Sequence, residues 1–93
     1  MGQLTTHVLD TANGCPAAAI RVELFRPGQP EPVGSALTND DGRCEHPLLE
    51  GADFTPGEYE LVFHAGEYFE ARGHVDAEPR FLDRVVIRFG IST

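Results

Sequence analysis

Leu4-Thr5-Thr6-His7-Val8-Leu9-Asp10 is the stretch of sequence that sets the fold. In a β-strand, successive side chains point to opposite faces of the sheet. Leu4, Thr6 and Val8 therefore share one face, and the odd-numbered residues, His7 among them, share the other. This period of two predicts a strand that packs one face on a core.

The same period recurs along the chain between short turn signals. The signals are Asn13-Gly14, Pro27-Gly28, Asp41-Gly42 and Pro56-Gly57. We predict further strands over residues 19–25, 33–38, 43–49, 58–64 and 80–91. Residues 27–32 are predicted to form a loop, because their prolines lack the amide that a central strand needs. Short strands with turns at this spacing are typical of an antiparallel β-sandwich.

The predicted core comes from alternating apolar residues in three of these strands. The inward-facing sets are Ile20, Val22 and Leu24; Tyr59, Leu61 and Phe63; and Phe81, Val85, Ile87 and Phe89. Arg21, Glu23, Arg84 and Arg88 should face outward. One segment, Gly66–Gly73, departs from this rhythm and is predicted to form a two-turn helix capped by Gly73. At this length we expect a single domain over residues 1–93.

Composition narrows the classes of function. Hydrophobic residues make up 41% of the chain, which is too many for a disordered protein. The formal net charge is −8, which argues against electrostatic binding to nucleic acid or to an anionic membrane. No apolar run approaches the roughly 18 residues of a membrane span, and the first residues do not resemble a signal peptide. We therefore expect a cytoplasmic protein, with Cys15 and Cys44 as free thiols near the surface.

His7 and Arg43 are the two candidate catalytic residues. A lone histidine in a strand is usually structural, and an arginine after an Asp-Gly turn is usually solvated. Histidine titrates near neutral pH, which suits a general base. Arginine carries a fork of donors that can bind a carbonyl oxygen with two hydrogen bonds.

The remaining histidines do not form a recognisable metal site. His46, His64 and His74 match no zinc spacing, and neither cysteine has a second cysteine nearby in sequence. We expect them to be exposed or in loops, and we expect no metal. The residues alone thus indicate a β-sandwich with a possible His/Arg site.

Several runs of the chain resemble the 5-hydroxyisourate hydrolases, the enzymatic relatives of the hormone carrier transthyretin. Residues 4–10, then Asn13-Gly14 and Pro16-Ala17, are similar to the first strand and turn of that family. The match continues in order through residues 20–25, 38–43, 59–63, 66–69 and 81–91. This resemblance implies an all-β, transthyretin/prealbumin-like antiparallel sandwich with one short helix.

The resemblance also implies an activity. These hydrolases use water to open the six-membered ring of 5-hydroxyisourate during urate degradation, and they need no metal or organic cofactor. His7 stands at the position of the first-strand histidine, which activates the water or holds the substrate. Arg43 stands at the arginine of the T-N-x-D-G-R motif, which holds the substrate and stabilises developing negative charge. A homo-oligomer built as a dimer of dimers is implied as well.

The end of the chain is where the resemblance is incomplete. Family members continue past the strand that contains Phe89-Gly90-Ile91 with two more strands, which carry a second catalytic histidine. Because the sequence stops at Thr93, we expect those two strands, roughly 20 residues, to be missing. The first strand should then have an unpaired edge. An alternative function is therefore a non-catalytic transthyretin-like binding or scaffold module that has lost its activity with the tail.

Overall fold

A four-stranded antiparallel sheet forms the larger layer of the fold. The computed structural model describes residues 2–73 and 83–92. The strands are β1 (Gln3–Leu4), β2 (Leu9–Asp10), β3 (Cys15–Pro16), β4 (Arg21–Phe25), β5 (Gly34–Leu37), β6 (Leu49–Glu50), β7 (Gly57–His64) and β8 (Arg84–Ile91). A 3₁₀ turn spans Gly51–Asp53, and the helix α1 spans Ala65–Ala71. The order in the larger sheet is β5-β4-β7-β8.

Alternation along β4 supplies the centre of the core. Val22 and Leu24 are fully buried, while Arg21 is exposed and Glu23 is half-buried on the other face. Val22 lies opposite Phe63 of β7 in the strand register. Burying an aliphatic side chain of this size contributes roughly 1.5–3 kcal/mol. The inward and outward faces predicted for this strand are confirmed.

A second, smaller layer covers the inner face of that sheet. It is built from the short pairs β1–β6 and β2–β3 and from an isolated bridge between His7 and Arg43. Leu4 and Val8 pack against the core, together with the buried Leu48 and Leu49 of the same layer. The molecule is thus an all-β sandwich, as the sequence predicts, and the described residues contain one α-helix.

The first predicted strand is less regular than expected. Residues 4–10 form two short strands and a bridge, although their faces alternate as predicted: residues 4, 6 and 8 are half-buried, and residues 5, 7 and 9 are exposed. The strand predicted over residues 43–49 is wrong, because regular pairing there is limited to Arg43 and to β6. Pro47 lies between them and has no amide to donate to a ladder.

The helix forms where it is predicted and ends as predicted. α1 begins at Ala65, one residue earlier than expected, and Gly73 adopts a left-handed φ of 85° beyond its end. The Gly73 amide donates to the Glu70 carbonyl at 3.0 Å, which satisfies a carbonyl of the last turn. Tyr68 projects from this helix and is buried.

The last strand, β8, is only partly buried. Val85 and Phe89 pack against the core, and the Phe89 ring stacks on Tyr59 with 5.9 Å between centroids. Ile87 was predicted to face the core, yet it is 47% exposed. It lies at the mouth of an open cleft, described below, instead of under the second layer. Phe81 falls outside the described residues. No helix within residues 2–73 and 83–92 is long and apolar enough to cross a membrane.

Candidate active site

A tight turn after β5 shapes the site. The Asn39 side-chain oxygen accepts hydrogen bonds from the Asp41 amide at 2.9 Å and from the Arg43 amide at 3.1 Å. The Gly42 amide donates to the Asn39 carbonyl at 2.8 Å and closes the turn. Asparagine favours such turns because its short amide can replace a backbone acceptor.

Gly42 allows this turn to lie against residues 4–10, the first segment of the chain. Its φ is +78°, and a Cβ placed there would collide with the Val8 carbonyl oxygen. The Val8 amide in turn donates to the Gly42 carbonyl at 2.8 Å. Glycine is required here for both reasons: the left-handed conformation and the close backbone approach.

This approach places His7 directly opposite Arg43. The two residues are antiparallel bridge partners, and the bond from the Val8 amide to the Gly42 carbonyl flanks the pair. Partners in this position lie about 4.5 Å apart at Cα, and their side chains leave the same face. The two residues singled out from the sequence, 36 positions apart in number, are therefore brought together.

His7 is exposed, and its ring is oriented by the main chain. Nε2 lies 3.0 Å from the Asp41 carbonyl oxygen. A carbonyl can only accept, so Nε2 donates, and in the neutral ring Nδ1 keeps its lone pair. Sequence reasoning did not identify Asp41 as the residue that orients His7, since the group involved is its carbonyl and not its side chain.

Arg43 is also exposed on this surface. Within residues 2–73 and 83–92, its guanidinium makes no hydrogen bond or ion pair with another side chain. Its five donors are thus available to a ligand from the face that it shares with His7. A guanidinium in this state suits the binding of a carbonyl oxygen or an anionic oxygen.

A cleft of about 400 Å³ opens beside His7. Its described lining includes Leu9 from the first segment, Phe63 from β7, and Val85 and Ile87 from β8. Arg43 is not part of this lining. The cleft therefore gives His7 an apolar neighbourhood, and Arg43 is exposed outside the cleft.

Asp10 anchors the far end of the first segment. Its buried carboxylate accepts hydrogen bonds from the Asn13 amide at 3.0 Å, the Asn13 side chain at 2.8 Å and the Tyr68 hydroxyl at 2.7 Å. The Asn13 side chain contributes most to holding the pKa of Asp10 below its usual value, with the Tyr68 bond acting in the same direction. Burial, together with Asp10, raises the pKa of Tyr68 to about 12.

His64 corrects an expectation about the other histidines. It was predicted to be exposed or in a loop, but it is buried at the end of β7. Its Nε2 lies 2.6 Å from a Glu23 carboxylate oxygen, and Arg21 lies 3.3 Å from Nδ1. His64 ends β7 directly before α1, and its bonds to Arg21 and Glu23 join this end of the strand to β4. His46 is exposed as predicted, and His74 lies outside the described residues.

The described residues contain no group of three or more His, Cys, Asp or Glu side chains that could hold a metal ion. Cys15 and Cys44 are free thiols, as predicted, although both are half-buried. Burial raises the pKa of the Cys44 thiol, which disfavours its reactive thiolate.

Comparisons with known proteins agree on one family. A sequence model described as "Transthyretin: HIUase/Transthyretin family" matches residues 4–93. A 5-hydroxyisourate hydrolase from Pseudomonas aeruginosa is 58% identical over 95 aligned positions, which cover 100% of this chain and 75% of the relative.

Two solved structures share the fold. The 5-hydroxyisourate hydrolase of Klebsiella pneumoniae aligns with a TM-score of 0.82 and 31% identity, covering 100% of this chain and 81% of that one. A crystal structure of an (S)-allantoin synthase aligns with a TM-score of 0.89 and 49% identity, covering 99% of this chain but only 36% of that longer chain. The match of the family model and these alignments, which cover nearly all of this chain, lead to one conclusion: this chain belongs to the HIUase/Transthyretin family.

Proposed function

We propose that this chain is a 5-hydroxyisourate hydrolase, acting as a single domain in which His7 and Arg43 carry the reaction. The observation that supports this most directly is the bridge that sets His7 opposite Arg43 on one exposed face. A relative with 58% identity across the whole chain has this activity by name. A non-catalytic scaffold has no need for a histidine base beside a guanidinium that, within the described residues, forms no ion pair.

In the proposed reaction, His7 removes a proton from water while the water oxygen bonds to a ring carbonyl carbon of 5-hydroxyisourate. The carbonyl oxygen gains the negative charge, and Arg43 donates hydrogen bonds to it. The C–N bond of the six-membered ring then breaks, and the leaving nitrogen takes up the proton that the water released. The product is 2-oxo-4-hydroxy-4-carboxy-5-ureidoimidazoline, so one water is consumed and no oxidant or cofactor enters the balance.

Magnitudes for the two roles follow from general chemistry. A positioned general base contributes about 10²–10⁴-fold to a rate. A donor aimed at a developing oxyanion contributes about 10²–10³-fold. His7→Ala and Arg43→Ala should therefore each lower kcat/KM by about two orders of magnitude or more.

The test follows the ultraviolet absorbance of freshly made 5-hydroxyisourate against its spontaneous decay. The protein should accelerate the decay, and His7→Ala and Arg43→Ala should abolish most of the acceleration. His46→Ala is a matched control, because His46 is an exposed histidine three residues from Arg43 that does not line the cleft beside His7. Decay at the spontaneous rate with the unmodified protein would refute the proposal, as would full activity in His7→Ala.

The same proposal extends to assembly and location. We infer a homotetramer, arranged as a dimer of dimers, in the cytoplasm during urate breakdown. Exposed apolar residues that line the cleft beside His7 support association, since Leu9 is 62% exposed and Ile87 is 47% exposed. The free thiols Cys15 and Cys44 are compatible with a reducing compartment. Sedimentation of the protein as a monomer at micromolar concentration would exclude the tetramer.

A further inference from the structure

We propose that Asn39 is a positioning residue that holds the Asp41 carbonyl on His7, fixes the proton of the neutral ring on Nε2, and thereby makes Nδ1 the atom that accepts the proton from water. This inference rests on the proposed function, because the hydrolysis supplies the water. The arrangement of the ring and the turn can nevertheless be measured without any substrate.

The first step is the contact between His7 and the main chain. Nε2 lies 3.0 Å from the Asp41 carbonyl oxygen, within hydrogen-bond range. A neutral imidazole has one donor nitrogen and one acceptor nitrogen, and the partner of one nitrogen sets the state of the other. With Nε2 committed as the donor, Nδ1 is left as the base.

The second step is how Asn39 fixes that carbonyl. Its side-chain oxygen binds the amides of Asp41 and Arg43, and its own carbonyl accepts from the Gly42 amide. The peptide unit that follows Asp41 is therefore held from both ends. Removal of the Asn39 side chain leaves two amides of the turn without their acceptor, and only the bond from the Gly42 amide to the Asn39 carbonyl then restrains the peptide unit that carries the Asp41 carbonyl.

The third step links the turn to Arg43. The Arg43 carbonyl accepts from the Asn39 amide at 2.8 Å, and the Arg43 amide donates to the Asn39 side chain. One residue thus holds the main chain on both sides of Arg43 and also orients His7. Its loss should disturb the base and the guanidinium together.

The proton balance is simple. An O–H bond of water breaks, its electron pair forms the new C–O bond, and the proton goes to Nδ1, so His7 becomes a cation with an N–H on each ring nitrogen. The Nε2–H bond to the Asp41 carbonyl is then charge-assisted and about twice as strong as a neutral one. The turn therefore stabilises the charged ring as the charge appears.

The test uses the imidazole nitrogen shifts of His7 in the uniformly ¹⁵N-labelled full-length protein, assigned by comparison with His7→Ala. The spectra are recorded without substrate, at a pH well above the ordinary histidine pKa of about 6.5. The unmodified protein should show the proton on Nε2. Asn39→Ala should show a mixture of the two tautomers and a kcat/KM lowered about ten- to a hundredfold.

Asn39→Asp supplies the rescue, because a carboxylate oxygen can accept the same two amide hydrogens. It should keep the Nε2–H form and recover most of the activity. Asp40→Ala is the matched control, since it truncates an exposed side chain of the same turn. It should leave both the nitrogen shifts and kcat/KM unchanged.

The outcomes separate the two proposals. A proton on Nδ1 in the unmodified protein would overturn the role of Asn39, and so would an unchanged tautomer in a folded Asn39→Ala. If Asn39→Ala does not fold, the shifts of the unmodified protein and of Asn39→Asp still decide. If the nitrogen shifts are as expected but the protein does not accelerate the decay of 5-hydroxyisourate, the positioning role of Asn39 stands and the hydrolase activity is refuted.

Discussion

Tyr68→Phe tests the anchor that holds the first segment against α1. The change removes one oxygen atom from a side chain that is 5% exposed, and with it a 2.7 Å hydrogen bond to the Asp10 carboxylate. Hydrogen bonds to charged groups contribute about 1.5–3 kcal/mol. We expect a loss of about 2 kcal/mol in the free energy of unfolding at pH 7, or roughly 8–16 °C in Tm for a domain of this size.

The dependence of this loss of stability on pH is the more specific test. The pKa of Asp10 is held below its usual value of 3.8 in the fold, first by the Asn13 side chain and also by Tyr68. A carboxyl whose pKa is lowered by folding stabilises the fold above its unfolded pKa, and this stability is lost as the pH falls through the folded pKa. Tyr68→Phe raises the pKa of Asp10 toward its usual value. The difference in the free energy of unfolding between this variant and the unmodified protein should therefore become smaller below about pH 4.

The assay is urea unfolding followed by circular dichroism, at several pH values between 7 and 2 and at one fixed protein concentration. Tyr59→Phe is the control, because the buried Tyr59 hydroxyl bonds to Arg26 and Thr55 and to no carboxylate. Its loss in the free energy of unfolding should be about 1–3 kcal/mol, since one partner is a guanidinium, and should not change through the carboxyl range. An equal loss for Tyr68→Phe at pH 7 and pH 2 would refute this reasoning.

Three further substitutions and one control, Gly28→Ala, test other contacts through the midpoint of thermal unfolding. Gly42→Ala should lower the free energy of unfolding by at least about 2 kcal/mol and abolish activity. Gly28→Ala should lower it by only about 1 kcal/mol, because Gly28 has a similar φ but no atom within 4 Å of its Cβ. Similar losses in the two variants would contradict the backbone collision at Gly42. Ala19→Gly should raise the stability by up to about 1 kcal/mol, because Ala19 has a φ of 60°, and a lower Tm would count against strain there. His64→Leu should cost about 1–3 kcal/mol by removing a buried ring that bonds to β4, and no change in Tm would show that this bond contributes little.

The sequence predicts what depends on local pattern. Alternation places Val22 and Leu24 in the core, and the glycine after residues 66–72 marks the end of the helix. His64 is mispredicted because its burial depends on partners 41 and 43 positions away, which no local pattern reveals. Ile87 follows the alternation of its strand yet remains exposed, because burial also requires an opposing layer.

The candidate site, like the fold, can be predicted from the sequence only in part. His7 and Arg43 are found from their residue types and from the family motif, and the bridge that joins them is a tertiary feature. The turn signal Asn39-Asp40-Asp41-Gly42 is visible in the sequence, since asparagine and glycine at these positions favour a tight turn. That the Asp41 carbonyl contacts His7 depends on how the turn docks, so residue types alone could not show it.

The acceptor that orients His7 belongs to the main chain, and this has a consequence for how the site tolerates mutation. No substitution at position 41 other than one that moves the backbone can delete a carbonyl oxygen, so the side chain there is free to vary while the contact persists. The constraint falls instead on two neighbours that shape the turn. Gly42 must lack a side chain, and the side-chain oxygen of Asn39 must accept two backbone amide hydrogens. A saturation library across this turn should therefore recover few functional variants at positions 39 and 42 and many at position 41, although residue 41 supplies the carbonyl that binds the histidine ring.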